Sequence, residues 1–461
     1  LSPRWLTAQL AGILEADAGY GRTTTAPGQR VQVEFVSANP TGPLNVVSAR
    51  AAAVGDTLVR LLRAAGHDAR GEFYVNDAGN QVDLLARSIE ARWLAARGED
   101  VAIPEGGYHG EYVVELAARL ARDQDLDAMS PAARRDYLRD QGLSSILATQ
   151  RRDLERFGVT FDRWFHESEL YTSGELDRTH RLLAEGGWTE EREGAVWFRS
   201  SALGDDEDRV IVRTDGRPTY LLADIAYHAS KHARGFEHVI DLLGPDHHGH
   251  VARMEAAAEA LGYGRSWLEI LIVQQVNLLR GGQPVKMSKR AGELIGLEEL
   301  EAEVGRDPAR FFFLMRRSNA HLDFDLDLAR QQNEENPCFY VQYAHARIAS
   351  VLERASERGT GFREPSTIDL GRLGEEEELA LAKQLVALPE VVRGAAEARE
   401  PHRMTVYLRE VAAHFHRFYH HQRIVGVEEE LSQARLALIR ATQLVLRNGL
   451  ELIGLDAPER M

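Results

Sequence analysis

The chain has 461 residues, 44% of them hydrophobic and 27% charged, with a formal net charge of −16. Such a length exceeds one ordinary core, and the composition is that of a globular protein of two or three domains. No apolar run nears the roughly 18 residues that span a bilayer, so no membrane partner is expected. A single cysteine, Cys338, excludes an internal disulfide and a multi-cysteine metal centre. The opening LSPRWLTAQLAGIL lacks the basic start and small-residue cleavage site of a secretion signal, and a cytoplasmic setting is expected. The acidic balance argues against general nucleic-acid affinity but leaves room for a local basic strip.

In chain order, residues 1–30 read as a helix and a Gly/Thr loop. A β-rich run at 31–38 follows, closed by the dense turn signal Asn39-Pro40-Thr41-Gly42-Pro43. Residues 49–65 are good helix formers with Val54, Leu58, Leu61 and Leu62 at helical spacing, and 72–75 begins another strand. Strand, loop, helix and strand make one unit of a parallel α/β sheet. Residues 80–190 read as a mostly helical insertion. Strands are expected again at 195–200, 209–213, 239–243 and 268–276. Beyond about 325 the pattern is helical, with amphipathic stretches near 335–356, 404–424 and 428–453 that suggest a bundle.

Four local signals carry chemistry. Lys286-Met287-Ser288-Lys289-Arg290 puts two lysines three apart in a glycine-flanked loop, where both can meet one triphosphate; alone, such a pair is more often a solvated basic turn. Gly244-Pro245-Asp246-His247-His248-Gly249-His250 follows an apolar strand, at the edge where open α/β sheets bind ligands. Gly244 permits close approach of a nucleotide, and Asp246 can accept ribose hydroxyls. The rival reading is a metal site of the metallophosphoesterase kind, which needs further Asp/His clusters that the sequence does not supply. Glu34, Ser37 and Asn39 crowd the end of the first strand over the same edge. Tyr220 and Asp224 share a helix face and together suit a guanidinium, although a structural surface pair explains them as well.

The pentapeptide and the Gly-x-Asp-x-x-x-His string resemble class I aminoacyl-tRNA synthetases. The runs VEFVSANPTGPL, YVNDAGNQ, GDDEDRV, TYLLADIAYH, NPCFYVQYAHARI and the terminal APERM resemble bacterial arginyl-tRNA synthetases, along nearly the whole chain. The resemblance implies a Rossmann-like catalytic domain split by an insertion and followed by an all-α anticodon-binding bundle. Its expected parts are 1–90 and 195–325 for the catalytic halves, 91–194 for the insertion and 326–461 for the bundle. It implies arginine–tRNA ligase activity with ATP, Mg²⁺, L-arginine and tRNA(Arg), in a monomer. A synthetase-like binding protein and a phosphoesterase or nucleotidyltransferase stand as alternatives. By position, Glu34, Ser37, Tyr220 and Asp224 match the arginine side-chain site, and Asn39 and His248 match the amino and carboxyl end. Gly244, Asp246, His247, His250, Val276, Lys286, Met287 and Lys289 match the ATP site. No resident metal is expected.

Two departures stand out. The family carries an N-terminal domain that reads the corner of the tRNA, and Leu1 aligns after it. The family's His-x-Gly-His motif is replaced by Asn45-Val46-Val47-Ser48. Asn45 and Ser48 can donate hydrogen bonds or cap a helix but supply no positive charge. Val47 puts a branched side chain where adenine would pack. Losing one transition-state donor typically costs about 2.7–4 kcal/mol, so this loop is expected to lower the rate unless it is compensated.

The bundle carries arginines interleaved with aromatics: Arg403, Arg409, Arg417 and Arg423 beside Tyr407, Phe415, Phe418 and Tyr419. Arginines meet phosphates and aromatics can stack on splayed bases. Phe415 and Phe418, three apart, also fit a bundle core. Tyr343 and Arg347, within YAHARI, are further tRNA candidates.

Overall fold

The computed structural model describes residues 2–23, 28–285 and 295–461. Five parallel strands form the central sheet: β1 (Arg30–Glu34), β2 (Asp68–Val75), β3 (Arg163–His166), β4 (His238–Leu243) and β5 (Leu268–Ile272). Their spatial order is β3-β2-β1-β4-β5, so the strand order reverses between β1 and β4. In open α/β sheets the ligand crevice lies beyond the carboxyl ends at that reversal. The register sets Glu34 directly beside Asp241 there.

The crossover from β1 to β2 is the helix Val46–Ala64, which starts earlier than its apolar spacing suggests because Asn45 caps it, accepting from the Ser48 amide at 3.0 Å. Gly66, at φ 96°, ends the turn behind it. The helix presses its Gly55 onto Phe35, where an added Cβ would sit 2.2 Å from the ring. Only glycine allows that approach.

Three features differ from the sequence reading. The strand β3 lies inside the stretch read as helical and completes the sheet edge, with Trp164 stacked on Phe73 at 4.2 Å between ring centroids. The strands Thr189–Arg192, Ala195–Phe198 and Arg209–Val212 make a separate antiparallel sheet rather than resuming the central one. The stretch 268–276, expected as one strand, breaks after Ile272, and Val276–Arg280 pairs instead with Leu322–Asp325 and Gln283–Pro284.

The break has a physical cause. Arg50, fully buried, donates to the carbonyls of Gln274 at 2.8 Å, Gln275 at 3.4 Å and Arg317 at 2.9 Å. The Gln274 and Arg317 carbonyls are thereby turned toward a cation, and that of Gln275 is shared between Arg50 and the Leu322 amide, which donates to it at 3.4 Å. Burial among carbonyls pulls the guanidinium pKa down to about 10.

The helices Asn80–Ala96, Glu111–Asp123 and Pro131–Arg156 bury an apolar cluster of their own beside the sheet. From Pro337 onward the chain is helical as expected, with Pro337–Glu357, Glu376–Val386, Leu388–Glu397, His402–His421 and Glu429–Leu452. Its core is continuous with that of the sheet. Fully buried Arg310 joins the two, donating to Asp56 at 2.5 Å and to the carbonyls of Phe157 and Ile453 at 3.1 Å. The helix Pro3–Ala16 packs on the bundle rather than on the sheet, and Asn448 fixes the chain behind it by donating to the carbonyls of Asp17 and Tyr20. Among the described residues no helix is long and apolar enough to cross a membrane.

Candidate active site

Beyond β1 the backbone turns sharply. Val36 and Ser37 adopt φ values of 70° and 38°, left-handed conformations that are costly for side chains with a Cβ and most of all for branched Val36. Hydrogen bonds hold the turn. Ser37 Oγ donates to Glu34 Oε1 at 2.9 Å and accepts the Tyr74 amide at 3.1 Å. The chain then runs out to Asn39, which is exposed at the sheet edge. Gln150 of the insertion clasps this segment, donating to the carbonyls of Asn39 at 3.2 Å and Gly42 at 2.8 Å, while the Tyr112 hydroxyl donates to Thr41 at 2.7 Å.

Glu34 is buried and already partnered. Its Oε2 accepts from Lys231 Nζ at 2.7 Å, and the same ammonium donates to Asp241 Oδ1 at 2.7 Å. Asp241 Oδ2 faces His228 Nε2 at 2.7 Å, and His228 Nδ1 faces the Asp224 carbonyl at 2.7 Å. Burial alone would lower the Lys231 pKa, but Asp241 and Glu34 outweigh it and hold it above the usual lysine value. Burial raises Asp241, but Lys231 and His228 overcome it and hold its carboxyl below the usual range. For Glu34 burial prevails over Lys231, and its pKa is raised.

A second acidic group faces the crevice from the other side. Glu167, directly after β3, receives hydrogen bonds from the Tyr74 and Tyr171 hydroxyls. Burial pushes it up to about 7, and the charges of Asp224 and Asp77 add to the rise. Asp77 fixes the turn that carries it, accepting from the Ser168 amide at 2.9 Å and the Ser168 hydroxyl at 2.8 Å, with His166 Nδ1 at 2.9 Å. Carboxylates gathered without a matching cation suit a positively charged ligand. Tyr220 and Asp224 open the helix Tyr220–Ala233 one turn apart, and Tyr220 is 77% exposed.

The nucleotide-side string meets this wall. His250 Nε2 lies 3.4 Å from Asp224 Oδ2, and His247 lies 3.4 Å from Asp246. Asp246, His247 and His248 are exposed where β4 gives way to the helix His248–Ala260. An added Cβ on Gly244 would lie 2.6 Å from the carboxylate of Asp246, an exposed side chain that can turn aside. At the start of Val46–Ala64, Asn45 Oδ1 accepts both the amide and the hydroxyl of Ser48, so this side chain serves the helix it caps. Val47 is half-buried beside it. Val276 begins the strand beyond the break and so stands apart from the end of β5. Lys286, Met287 and Lys289 lie outside the described residues.

In a search for relatives, the chain is 50% identical over 99% of its length to the arginine–tRNA ligase of Heliobacterium modesticaldum, covering 82% of that protein. The chain belongs to the arginyl-tRNA synthetase family. To the Moorella thermoacetica ligase it is 48% identical over its full length, covering 83% of that protein. A Campylobacter jejuni crystal structure described as an arginyl-tRNA synthetase superposes with a TM-score of 0.92 at 35% identity, each chain fully covered. Residues 341–461 match the DALR anticodon binding domain.

Within that domain the candidate RNA residues divide. Tyr343 and Arg347 share a cavity of about 830 Å³ with Tyr340, His416 and Tyr419, and the Arg347 guanidinium lies 4.7 Å over Tyr343 and 5.0 Å over Tyr419. Arg409 and Arg417 act electrostatically on Tyr340 at its rim. Arg423 lines an adjoining cavity with Arg354 and Arg358. Arg403 sits in the first turn of the same helix, paired with Glu400 at 2.5 Å, and does not join them. Phe415 and Phe418 are fully buried in the bundle core.

The sequence reading missed Glu167, Gln150, Arg50 and Lys231. Glu167 follows too short a strand to be noticed, and Lys231 lies in the polar run His228-Ala229-Ser230-Lys231-His232, which looks like a solvated helix face.

Proposed function

We propose that this chain joins L-arginine to the terminal ribose of tRNA(Arg) at the expense of ATP, through an arginyl-adenylate, releasing AMP and diphosphate. The observation that carries the reading is the meeting of two ligand chemistries at the sheet reversal. Asp224 belongs to a carboxylate group suited to a guanidinium, and it lies 3.4 Å from His250 of the nucleotide-side string.

The arginine carboxylate attacks the α-phosphate of ATP, and diphosphate leaves. A ribose hydroxyl of the tRNA then attacks the adenylate carbonyl, and AMP leaves. No protein nucleophile is needed, so catalysis rests on positioning and charge stabilisation. Glu167 and Asp224 pair with the guanidinium while Tyr220 covers it. Asn39 and His248 face the amino and carboxyl end. Asp246 takes the ribose, and Lys286 and Lys289 neutralise the triphosphate. Mg²⁺, when bound with the nucleotide, would supply further neutralisation of the triphosphate; among the described residues no three acidic, His or Cys side chains are grouped to hold a metal. Tyr343 and Arg347 stack and pair with a base and phosphate of the anticodon loop. The enzyme works in the cytoplasm as a monomer.

Charging of tRNA(Arg) with arginine tests this reading, run beside the triple variant Asn45→His, Val47→Gly, Ser48→His. Arginine-dependent charging by the natural chain is expected. A gain of about a hundredfold or more in the variant means that the Asn45–Ser48 turn limits the enzyme. No charging by either protein would overturn the proposal in favour of a synthetase-like binding protein.

A further inference from the structure

Arg50 is fully buried, yet among the described residues no carboxylate pairs with it. Its terminal nitrogens donate to the carbonyls of Gln274, Gln275 and Arg317, and its Nε is buried with no hydrogen-bond partner among the described residues. A buried cation held by carbonyls alone is a poor source of stability, because an apolar side chain of similar size avoids the cost of desolvation. What Arg50 secures is position. It sits in the second turn of Val46–Ala64, just behind the start at Asn45–Ser48, and reaches the corner between β5 and the strand Val276–Arg280. From that corner the Gln274 amide donates to the Ser318 carbonyl at 2.8 Å.

The strand Val276–Arg280 turns at Gly281 and Gly282 into Gln283–Pro284, and this hairpin leads to Lys286 and Lys289. The chain then comes back to the same helix start. Gly296 pairs with Asn45 in a single antiparallel bridge, and the Leu297 amide donates to the Leu44 carbonyl at 2.9 Å. The segment Leu44–Arg50 thus holds the chain on both sides of the lysine motif, through Arg50 before it and through Leu44 and Asn45 after it. We propose that Arg50 is a positioning residue for the phosphate end of ATP, setting the hairpin that leads to the lysine motif against the helix start at Asn45–Ser48. Fully enclosed, it acts through the hairpin and not on the nucleotide. The proposal rests on Lys286 and Lys289 meeting the triphosphate. Because Asn45–Ser48 supplies no positive charge, their placement matters the more, and a displacement of about 1 Å there costs about a hundredfold in rate.

Arg50→Met removes the charge and its bonds, whereas Arg50→Lys keeps the charge and loses the fork that spans several carbonyls. Asp56→Ala, on the same helix, is the control for lost stability, since it strands Arg310 and leaves the hairpin contacts in place. Arginine-dependent ATP–diphosphate exchange with tRNA(Arg) present, and amide hydrogen exchange of residues 276–285, are read for these variants and the natural chain. In Arg50→Met turnover is expected to fall about a hundredfold, with arginine KM within about threefold of the natural chain. Its Val276–Arg280 amides are expected to exchange about tenfold faster, beyond any change in β1 and β4. Arg50→Lys is expected to recover about tenfold of the lost turnover. Asp56→Ala is expected to unfold at lower temperature with turnover near the natural value.

The proposal is overturned if folded Arg50→Met keeps turnover within about threefold of the natural chain, or if Asp56→Ala loses as much. Hairpin amides that exchange no faster than those of β1 and β4 overturn it as well. Should Arg50→Met not fold, Arg50→Lys decides by the same readings, with a loss of about tenfold expected. Failure of both to fold means that Arg50 serves the whole fold, which also overturns the proposal. A natural chain without arginine-dependent exchange would sink the functional reading instead, and the hairpin amides would still decide what Arg50 holds.

Discussion

Replacing Glu167 by Gln should make the protein more stable and a poorer enzyme at the same time. Its carboxyl is pushed up to about 7 by burial, with Asp224 and Asp77 contributing, against an ordinary value of 4.5. The folded chain therefore holds a proton that the unfolded chain releases earlier. Stability from this group falls as pH rises from 4.5 toward 7, and the deficit is complete above that. At about 1.4 kcal/mol per pK unit the full shift would amount to roughly 3 kcal/mol. The carboxyl is only part-buried, and solvent screening reduces this to about 1 kcal/mol. Glu167→Gln should unfold at a higher temperature than the natural chain near pH 8, with the difference closing toward pH 4.

Arginine binding carries the opposite sign, because the guanidinium favours the ionised form. In the natural chain arginine KM should rise as pH falls below about 7, by up to tenfold per unit. Loss of a charge-assisted bond worth about 1.5–3 kcal/mol should raise KM of the variant roughly ten- to 150-fold and flatten that pH slope. The assay is tRNA charging with arginine titrated from about pH 6 to pH 8, beside thermal unfolding. A variant that unfolds earlier than the natural chain near pH 8 and keeps the same pH slope would refute the reasoning.

Three further outcomes follow from other contacts. Asp56→Ala strands the guanidinium of fully buried Arg310, and a loss of about 3–5 kcal/mol should appear as a lower unfolding midpoint. Gln150→Ala removes the clasp on the carbonyls of Asn39 and Gly42 and should raise arginine KM about tenfold, measured in the charging assay, although Gln150 lies in the helical insertion. Tyr343→Ala should weaken tRNA binding by about 1–3 kcal/mol in a filter-binding titration and leave arginine KM unchanged.

Much of the catalytic architecture was legible because local signals agreed with the global fold. Asn39-Pro40-Thr41-Gly42-Pro43 marks the end of β1, and the Asn45 cap with its apolar helix spacing marks the crossover. Gly244 and Asp246 follow the mostly apolar run Val239-Ile240-Asp241-Leu242-Leu243, which marks β4. What escaped notice depended on contacts distant in the chain. The strand β3 has four residues, Arg163 to His166, too few for a period, and gains its place only by pairing with β2. The break after Ile272 has only a short polar pair, Gln274-Gln275, to announce it, and the cation that takes their carbonyls, Arg50, lies more than two hundred residues away. Lys231 reads as a surface lysine until the parallel register sets Glu34 beside Asp241 and encloses it.

The account stands on a carboxylate wall that selects a guanidinium cation next to a nucleotide edge. Citrulline has nearly the shape of arginine and no charge, so tRNA charging with each amino acid measures that selection most directly. A wall built on Glu167 and Asp224 predicts that arginine is preferred by about ten-thousandfold or more in kcat/KM. Charging of citrulline within tenfold of arginine would contradict it.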